Sequence, residues 1–570
     1  LAVLSKRWAL KPPLDAQQHA AWAGAPLLLA QLLANRKIAP ESAQHFLEGR
    51  GLGYDPLGPE PLLGVQPAVE RLVRAVQVGE RIAVFGDFDA DGVAATVLLV
   101  QTLHGLGAEV EPYIPHRVDE GYGLNIDALR ALYKKGVRVV VTVDCGIRSV
   151  HEVAKAEPYL SLIITDHHEP GHQLPPATAV INPKQPGCPY PFKGLAGVGV
   201  AFKLAQALFR AIQPRDNHLG LSEESLLDLV ALGTVADLAP LLGENRVLVC
   251  RGLEALKAPA RPGIEALMAN AGVRRGQVDA AAIGFRLGPR LNAAGRLESA
   301  MAAYDLLAAR DPEHAKALAA QLGDLNRRRQ ELTEETFDAA EALVQAGDPG
   351  APLLFVAGSA FQPGIVGLAA SRLADAHYRP AVVVEVGEGE SRGSCRSIPE
   401  FHITEALDRC GDLLTRHGGH AAAAGFTVAN QKLEELRWRL VEIAGERLAG
   451  LDLRPELQID AEVPLEEVDW ATLTLLQQLE PCGMDNPQPV LVSRGVTVAD
   501  VRAIGGEGKH LRLTLRDGRR ISWDALFWRQ GERAGEIPGC IDVAYTLEAH
   551  EWNGTRRLQL NVQDLRSAEH

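Results

Sequence analysis

Three carboxylates stand at alternate positions in Asp87-Phe88-Asp89-Ala90-Asp91-Gly92, further acids stand at Asp144, Asp166 and Asp237, and Asp166 opens a run of Asp-His-His with His167 and His168. Carboxylates this close in sequence repel one another, and a loop concentrates that charge when a cation relieves it. The three alternate carboxylates therefore read as a metal site. An EF-hand starting at Asp87 would need a bidentate Glu at its twelfth position, which here is Leu98, and that argues against calcium by that route. A haloacid-dehalogenase phosphatase also opens on an apolar strand and D-x-D, with the first Asp as nucleophile, and it stays open as a rival on these residues alone. So does a merely solvated acidic turn, although Gly92 and the helix after it favour a shaped loop.

The elements around these residues explain how they could converge. Residues 82–85 form a short unbroken apolar run, as in a strand buried on both faces, and 93–99 continue as a helix. Residues 137–143 are a second such strand ending at Asp144-Cys145-Gly146, 160–165 a third ending at Asp166-His167-His168, and 178–181 a fourth. Parallel strands alternating with helices predict a doubly wound α/β sheet, which binds ligands outside the carboxyl ends of its strands. Acid or imidazole at three strand ends is therefore the strongest signal in the chain. An amphipathic helix over 223–235 leads to Asp237, whose apolar neighbours predict a partly buried carboxylate in need of a partner. That partner is a cation, or Asp237 is a cap or a salt-bridged core acid.

At 570 residues, with 46% hydrophobic and 23% charged, the chain reads as an ordinary soluble protein of three or four domains. No run suits a membrane span or a secretory leader. A first residue of Leu rather than Met suggests a trimmed chain. Cysteines 145, 188, 250, 395, 410, 482 and 540 are scattered without a C-x-x-C pair, which favours a reduced cytoplasmic setting. The net charge of -14 argues mildly against a nucleic-acid partner. Its distribution argues the other way: Arg261, Arg274, Arg275, Arg286, Arg290 and Arg296 are opposed only by Glu265, Asp279 and Glu298.

The expected organisation is an N-terminal helical segment (1–50, with helices near 16–34 and 43–47), a catalytic α/β domain (51–310), a connecting helix (311–346), a second α/β domain (347–450, strands at 353–356 and 381–386) and a C-terminal barrel (451–570). In the second domain Gly418 and Gly419 permit close approach to a ligand, and His420 can donate to a phosphate. The last segment has short β-type runs at 490–492, 496–501, 510–515, 520–527, 541–547 and 557–562, which fit an oligonucleotide-binding barrel. Trp523, Phe527 and Trp528 interleave there with Lys509, Arg512, Arg516, Arg519 and Arg520, as a single-strand groove would require. Alternatively, the aromatics are barrel core.

D-F-D-A-D-G at 87–92, D-C-G at 144–146, D-H-H at 166–168 and A-D at 236–237 resemble, in order, the four phosphoesterase motifs of the DHH family. G-P-R-L-N-A-A-G-R-L at 288–297, G-G-H-A-A-A-A-G at 418–425 and E-P-C-G-M-D-N-P at 480–487 extend the resemblance over nearly the whole chain, to the bacterial exonucleases specific for single-stranded DNA. Where those often carry an aromatic before the glycine of E-P-x-G, this chain has Cys482. The resemblance implies a DHH domain, a DHHA1-type second domain, an OB-fold-like barrel and release of mononucleotides from a 5′ end in DNA repair and recombination. It implies single-stranded DNA as partner, a single-strand-binding protein and a helicase beside it, and no membrane.

Carboxylates and imidazole without thiolate pairs favour Mn2+ or Mg2+ over structural zinc. Two ions about 3.5–4 Å apart can share a carboxylate, activate water and stabilise a leaving oxygen. Asp144 is expected to bridge them, with Asp89 on one ion, Asp91 on the other, His167 and Asp237 completing the second, and Asp87 as a further ligand. His168 is expected at the scissile phosphate, donating as charge develops. The dehalogenase reading has no use for D-H-H. Substrate contacts are expected from Arg117, Arg286, Arg290, Asn292, Arg296, Ser394, Arg396, Gly418, Gly419, His420, Lys509, Arg512 and Trp523. Among them, Ser394 and Arg396, with Arg117 reaching over, are expected to read a terminal 5′ phosphate, because an Arg fork bonds two phosphate oxygens at once. The plain alternative is that Arg396 pairs with Glu385 or Glu400. Two further readings stay open: a phosphodiesterase for short oligoribonucleotides or cyclic dinucleotides, which would share the metal ligands, and a non-catalytic single-strand-binding relative that keeps the fold but has lost its metals, against which the intact Asp and His set argues.

Overall fold

Apolar runs separated by amphipathic helices bury both faces of a parallel sheet, and the first lobe is built that way. The computed structural model describes residues 5–22, 24–49, 58–117, 119–212, 221–518, 521–552 and 555–568. In its first sheet β1 (Arg81–Gly86), β2 (Val137–Val143) and β3 (Ser161–Thr165) pair in parallel, flanked by Val110–Tyr113 beside β1 and Ala179–Ile181 beside β3. One face (Ile82, Val84, Val141, Ile163) packs under α1 (Ala90–Gly105), α2 (Gly197–Ala211) and α3 (Leu227–Ala236). The other face (Ala83, Phe85, Val140, Ile164) packs against Leu129 and Val153 of the helices Ile126–Lys134 and Val150–Ala156. From β1 the chain goes first to one side and then to the other, so the switch point lies between β1 and β2. Their carboxyl ends carry Asp87–Asp91 and Asp144.

Two helices then run side by side: α4 (Gly288–Leu297), entered through a π-helical turn at Ile283–Leu287, and α5 (Pro312–Ala346). Asp311 caps α5 by accepting from the His314 backbone N–H at 2.7 Å, and at 35 residues the helix is about 52 Å long. It carries the second lobe. Arg372 of α6 (Val366–His377) pairs with Glu334 of α5 and stacks over Phe337, while His377 bonds Glu341 at 2.7 Å. The second sheet joins Leu354–Gly358 and Ala381–Val386 in parallel, then adds β4 (Glu390–Arg396), Ala423–Ala429 and Leu414–Gly419 antiparallel.

The C-terminal strands Leu491–Ile504, His510–Arg516, Ser522–Phe527, Thr555–Ser567 and Cys540–Trp552 close into a barrel, because Cys540–Trp552 pairs back onto Leu491–Ile504. The runs expected at 490–492 and 496–501 fall on one strand, Leu491–Ile504, with an irregularity between Ser493 and Val496. The N-terminal segment is part of this body. Trp22, Leu29, Leu32 and Leu33 share a core with Leu473, Leu476 and the barrel interior, and a strand the sequence did not suggest, Arg7–Leu10, pairs with Glu456–Ile459.

One buried cation ties barrel to catalytic lobe. Arg246, 2% exposed, donates to the carbonyls of Phe46, Leu479, Pro481, Gln478 and Glu480, with its guanidinium 4.1 Å from the Phe46 ring centre. The E-P-C-G-M-D-N-P segment thus serves as a joint. Asn486 Nδ2 also donates to Leu479 and Pro481 carbonyls, at 2.8 Å each.

Candidate active site

The three strand ends deliver their acids to one point. Asp89 caps α1, its Oδ1 accepting from the N–H groups of Asp91 (2.9 Å) and Gly92 (3.0 Å). Asp91 turns the other way, accepting from the first turn of α2 at Gly197 (2.7 Å) and Val198 (2.9 Å). Asp144 follows β2 in the left-handed region at φ 62°, a conformation unusual for a non-glycine residue and found where function fixes the backbone. Ligand atoms of Asp87, Asp89 and Asp144 lie within 4.8 Å of one another, as do those of Asp91, His167 and Asp237, and those of Asp144, His167 and His168.

The electrostatics fit a divalent cation. Burial, then mutual repulsion among the carboxylates, pushes Asp91 up to about 7 and Asp237 up to about 9, and raises Asp87 and Asp144 well above the usual range. Asp87 Oδ1, Asp144 Oδ1 and His167 Nε2 are buried without a hydrogen-bond partner. Burial and the neighbouring His168 push His167 down to about 3, so its ring is neutral, and the Leu195 backbone bonds it. A neutral imidazole steadied by a carbonyl is a ready metal ligand. The nearby Cys145 does not compete: burial raises its pKa and its Sγ faces the Phe85 carbonyl at 3.8 Å.

Asp166, part of the D-H-H run but given no role by sequence reasoning, has a different task. Its Oδ1 accepts from the N–H groups of His167 (2.7 Å) and His168 (3.1 Å) and lies 2.8 Å from His168 Nδ1, and its Oδ2 accepts from Ile147 N–H at 2.9 Å. Burial alone would raise its pKa, but the His168 contact and these donors outweigh that and lower it. Asp166 thus orients His168. Tyr122 OH stands 3.3 Å from both His168 Nδ1 and the Asp144 carbonyl.

Beside the acids gather several guanidinium groups. Arg117 stacks over Phe88 at 4.6 Å and interacts with Asp87 and Asp89. Burial, then the charges of Arg117, Arg329 and Arg396, push Arg296 down to about 9, so these four arginines lie within electrostatic reach of one another, with Asp89 as a counter-charge. Arg329, on the connecting helix α5, has a buried Nε without a partner. A Cβ at Gly367 would stand 3.0 Å from Ser394 Oγ and 3.6 Å from Arg396 Nη2, so both face the first turn of α6, an end suited to anions. Among the described residues no carboxylate pairs with Arg396, and Glu400 instead accepts from Tyr378 OH. Such a group of guanidinium ions calls for a phosphate.

The remaining expected contacts divide. His420 lies where Arg148, His168 and Lys184, after burial, lower its pKa, so it faces the catalytic lobe. Gly418 and Gly419 end an exposed strand next to it. Asn292 Oδ1 accepts from Ala90 N–H at 2.7 Å and braces the acidic loop. Arg286 donates to the Ala271 and Gly272 carbonyls, and Arg290 to Asn270 Oδ1 (3.0 Å) and the Arg286 carbonyl (2.6 Å). In the barrel Lys509 is exposed 3.6 Å from Glu507, and Arg512 forks onto Asp524 at 2.7 and 3.2 Å. Trp523 corrects the expectation. It is 8% exposed within the barrel core and offers no stacking face, whereas Trp528, 49% exposed beside His510, does. Arg519 and Arg520 lie outside the described residues.

Models of the DHH family N-terminal domain, the DHHA1 domain and the RecJ OB domain match residues 81–234, 350–446 and 459–564. The single-stranded-DNA-specific exonuclease RecJ of Bacillus subtilis is 40% identical over 549 residues, 95% of this chain and 68% of the relative. That of Escherichia coli is 35% identical, over 95% of this chain and 96% of the relative. The crystal structure of RecJ from Thermus thermophilus in complex with Mn2+ superposes with a TM-score of 0.84 at 32% identity, covering 99% of this chain and 80% of that one. The Mg2+ complex gives 0.78 at 31% identity, covering 99% and 79%.

Proposed function

The chain belongs to the RecJ family of DHH phosphoesterases, and from that premise we propose that it is a metal-dependent exonuclease hydrolysing single-stranded DNA from the 5′ end to mononucleotides. One observation carries the reading: the acid and imidazole cluster lies beside a group of four arginines, and Asp89 interacts with both. The cluster suits hydrolysis of a phosphodiester. The arginines suit a terminal phosphate, which no internal nucleotide has.

Asp87, Asp89 and Asp144 would hold one Mn2+ or Mg2+, and Asp91, His167 and Asp237 the other, with Asp144 between the two. Bound there, such ions neutralise the carboxylates, activate water and stabilise the leaving oxygen. The protein's own groups do the rest. With Asp166 on its Nδ1, His168 can turn Nε2 to a phosphate oxygen and donate as charge develops. Arg117, Arg296, Arg329 and Arg396, with Ser394 Oγ, would grip the terminal phosphate and fix which bond lies over the acids. His420 would close the cleft from the second lobe, and the barrel would hold the strand further on. This chemistry fits DNA repair and recombination in the cytoplasm, on strands that a helicase opens and a single-strand-binding protein covers.

The test is a substrate panel of end-labelled single-stranded DNA, blunt duplex, short oligoribonucleotides and a cyclic dinucleotide, each with and without Mn2+. The expected result is manganese-dependent release of labelled mononucleotide from the 5′-labelled single strand. Faster turnover of the short RNA or the cyclic dinucleotide would overturn the reading.

A further inference from the structure

Between the strand Val110–Tyr113 and the helix Ile126–Lys134 the chain makes a connection without regular secondary structure, and that connection carries Arg117 and Tyr122 to the active site. It is poorly suited to holding either of them still. Gly121 and Gly123 both lie in the left-handed region, at φ 82° and 83°, where glycine has the most freedom to lose on ordering. Its buried apolar side chains, Ile114 and Leu124, stand near its two ends. Tyr122 is held by its hydroxyl, at the Asp144 carbonyl and His168 Nδ1. Arg117 rests only on the Phe88 ring and the charges of Asp87 and Asp89, with no hydrogen bond to its guanidinium among the described residues. Its placement therefore depends on how firmly its own backbone is fixed.

One carboxylate supplies that order. Glu120 Oε1 accepts from the His116 main-chain N–H at 2.8 Å, and Oε2 accepts from the Tyr113 hydroxyl at 2.6 Å and from Asn125 Nδ2 at 3.1 Å. The Glu120 N–H donates in turn to the His116 carbonyl at 2.8 Å, closing the turn that bears Arg117. Both outer donors sit on fixed elements. Tyr113 ends its strand and stacks on Phe85 with ring centres 5.0 Å apart, while Asn125 caps the next helix, its Oδ1 accepting from Ala128 N–H at 2.7 Å. Burial alone would raise the Glu120 pKa, but the donors from His116, Tyr113 and Asn125 outweigh it and hold the carboxyl below its usual range, so it is ionised at neutral pH. An acid on a loop that meets a polyanionic strand opposes binding through its charge. Its worth there lies in what it holds.

We propose that Glu120 is a positioning residue for the exonuclease reaction, its three-donor clasp tying both ends of the connection to the turn that presents Arg117 to the terminal phosphate. The assignment rests on the terminal-phosphate reading above. Glu120 acts through Arg117 rather than on the strand itself. A binding group fixed beforehand needs no ordering when the strand arrives, whereas a loose loop must be ordered by the strand and weakens its affinity by that amount. The effect belongs to strands that carry a 5′ phosphate, because only they use the guanidinium that the clasp holds.

The experiment uses the full chain with manganese and compares 5′-phosphorylated and 5′-hydroxyl single strands of one sequence. In Glu120→Ala, kcat/KM on the phosphorylated strand should fall about tenfold, through KM, with little change on the hydroxyl strand. Glu120→Gln, which keeps one acceptor oxygen, should recover part of that loss. Tyr113→Phe, which keeps the ring on Phe85 and removes one donor, should show part of it. Adding Glu120→Ala to Arg117→Ala should lower the preference no further than Arg117→Ala alone. An unchanged preference in Glu120→Ala, or in Tyr113→Phe where the alanine variant does not fold, would overturn the clasp while leaving the terminal-phosphate reading intact. Equal losses on the two strands would do the same, because they mark a general structural role. Absence of any preference in the unmutated protein would instead overturn that reading, and the role of Glu120 with it.

Discussion

His167 Nε2 stands 3.0 Å from Asp144 Oδ1, and both atoms are buried without a hydrogen-bond partner. The separation is short enough for an ion pair, but the alignment is not that of a hydrogen bond and burial keeps the imidazole neutral. Two lone pairs turned toward the same space leave room for a cation between chain segments that are far apart in sequence.

Manganese should therefore stabilise the folded protein. At a hundred times its dissociation constant, one bound ion adds about 2.7 kcal/mol, read as a rise in melting temperature. Asp144→Asn removes one of the repelling buried charges and keeps a side chain that tolerates a left-handed backbone. It should melt above the unmutated protein without metal and show a much smaller manganese shift. An undiminished shift would contradict the assignment of Asp144.

The four arginines should make the enzyme prefer a 5′-phosphorylated strand to a 5′-hydroxyl one. Arg396→Ala or Arg329→Ala removes a charge-assisted contact of about 1.5–3 kcal/mol, so the preference measured by kcat/KM should fall at least tenfold. Arg512→Ala, whose fork is spent on Asp524, should leave the preference as it was. Equal rates on both ends in the unmutated protein would mean that the end is sensed otherwise.

Arg246→Ala should cost about 3–5 kcal/mol, because it strands a cluster of buried carbonyls that the guanidinium now satisfies. Thermal unfolding would read this as a lower or a split transition between the catalytic lobe and the barrel. A melting curve unchanged from the parent would deny the joint its role.

In the barrel, Trp523→Ala should destabilise by about 3–5 kcal/mol as a core cavity does. Trp528→Ala should leave folding intact and weaken binding of long single strands, measured by fluorescence anisotropy. The reverse pattern would restore Trp523 as the stacking residue.

Strand-end acids were legible because hydrophobic period and polar punctuation coincide there: residues 137–143 were read as a strand and Asp144 follows it directly. Elements that break that coincidence were hidden. Val110–Tyr113 contains Pro112, which an edge strand tolerates and a sequence reading discounts. In Glu390–Arg396 the inward positions are Ser391, Gly393 and Cys395, too small and polar to look like a core, because the Phe426 ring fills the space a Cβ at Gly393 would need. Arg329 was masked by its neighbours. Arg327 and Arg328 pair with Asp324 and Glu331 on the solvent side, and the helical turn carries only the third arginine inward. Trp523 was legible in principle, since Trp523, Ala525 and Phe527 alternate onto the buried face of their strand.

A division of labour in which the converging acids supply rate while the arginines and the barrel supply grip separates cleavage from binding in a single variant. Its most direct test compares the unmutated protein with Asp144→Ala on a 5′-phosphorylated single strand, measuring mononucleotide release at saturating manganese and, separately, strand affinity. The expected result is loss of release by at least a thousandfold, about 4 kcal/mol of barrier, with affinity within a few-fold of the parent. Substantial cleavage by Asp144→Ala under those conditions would rule out that division.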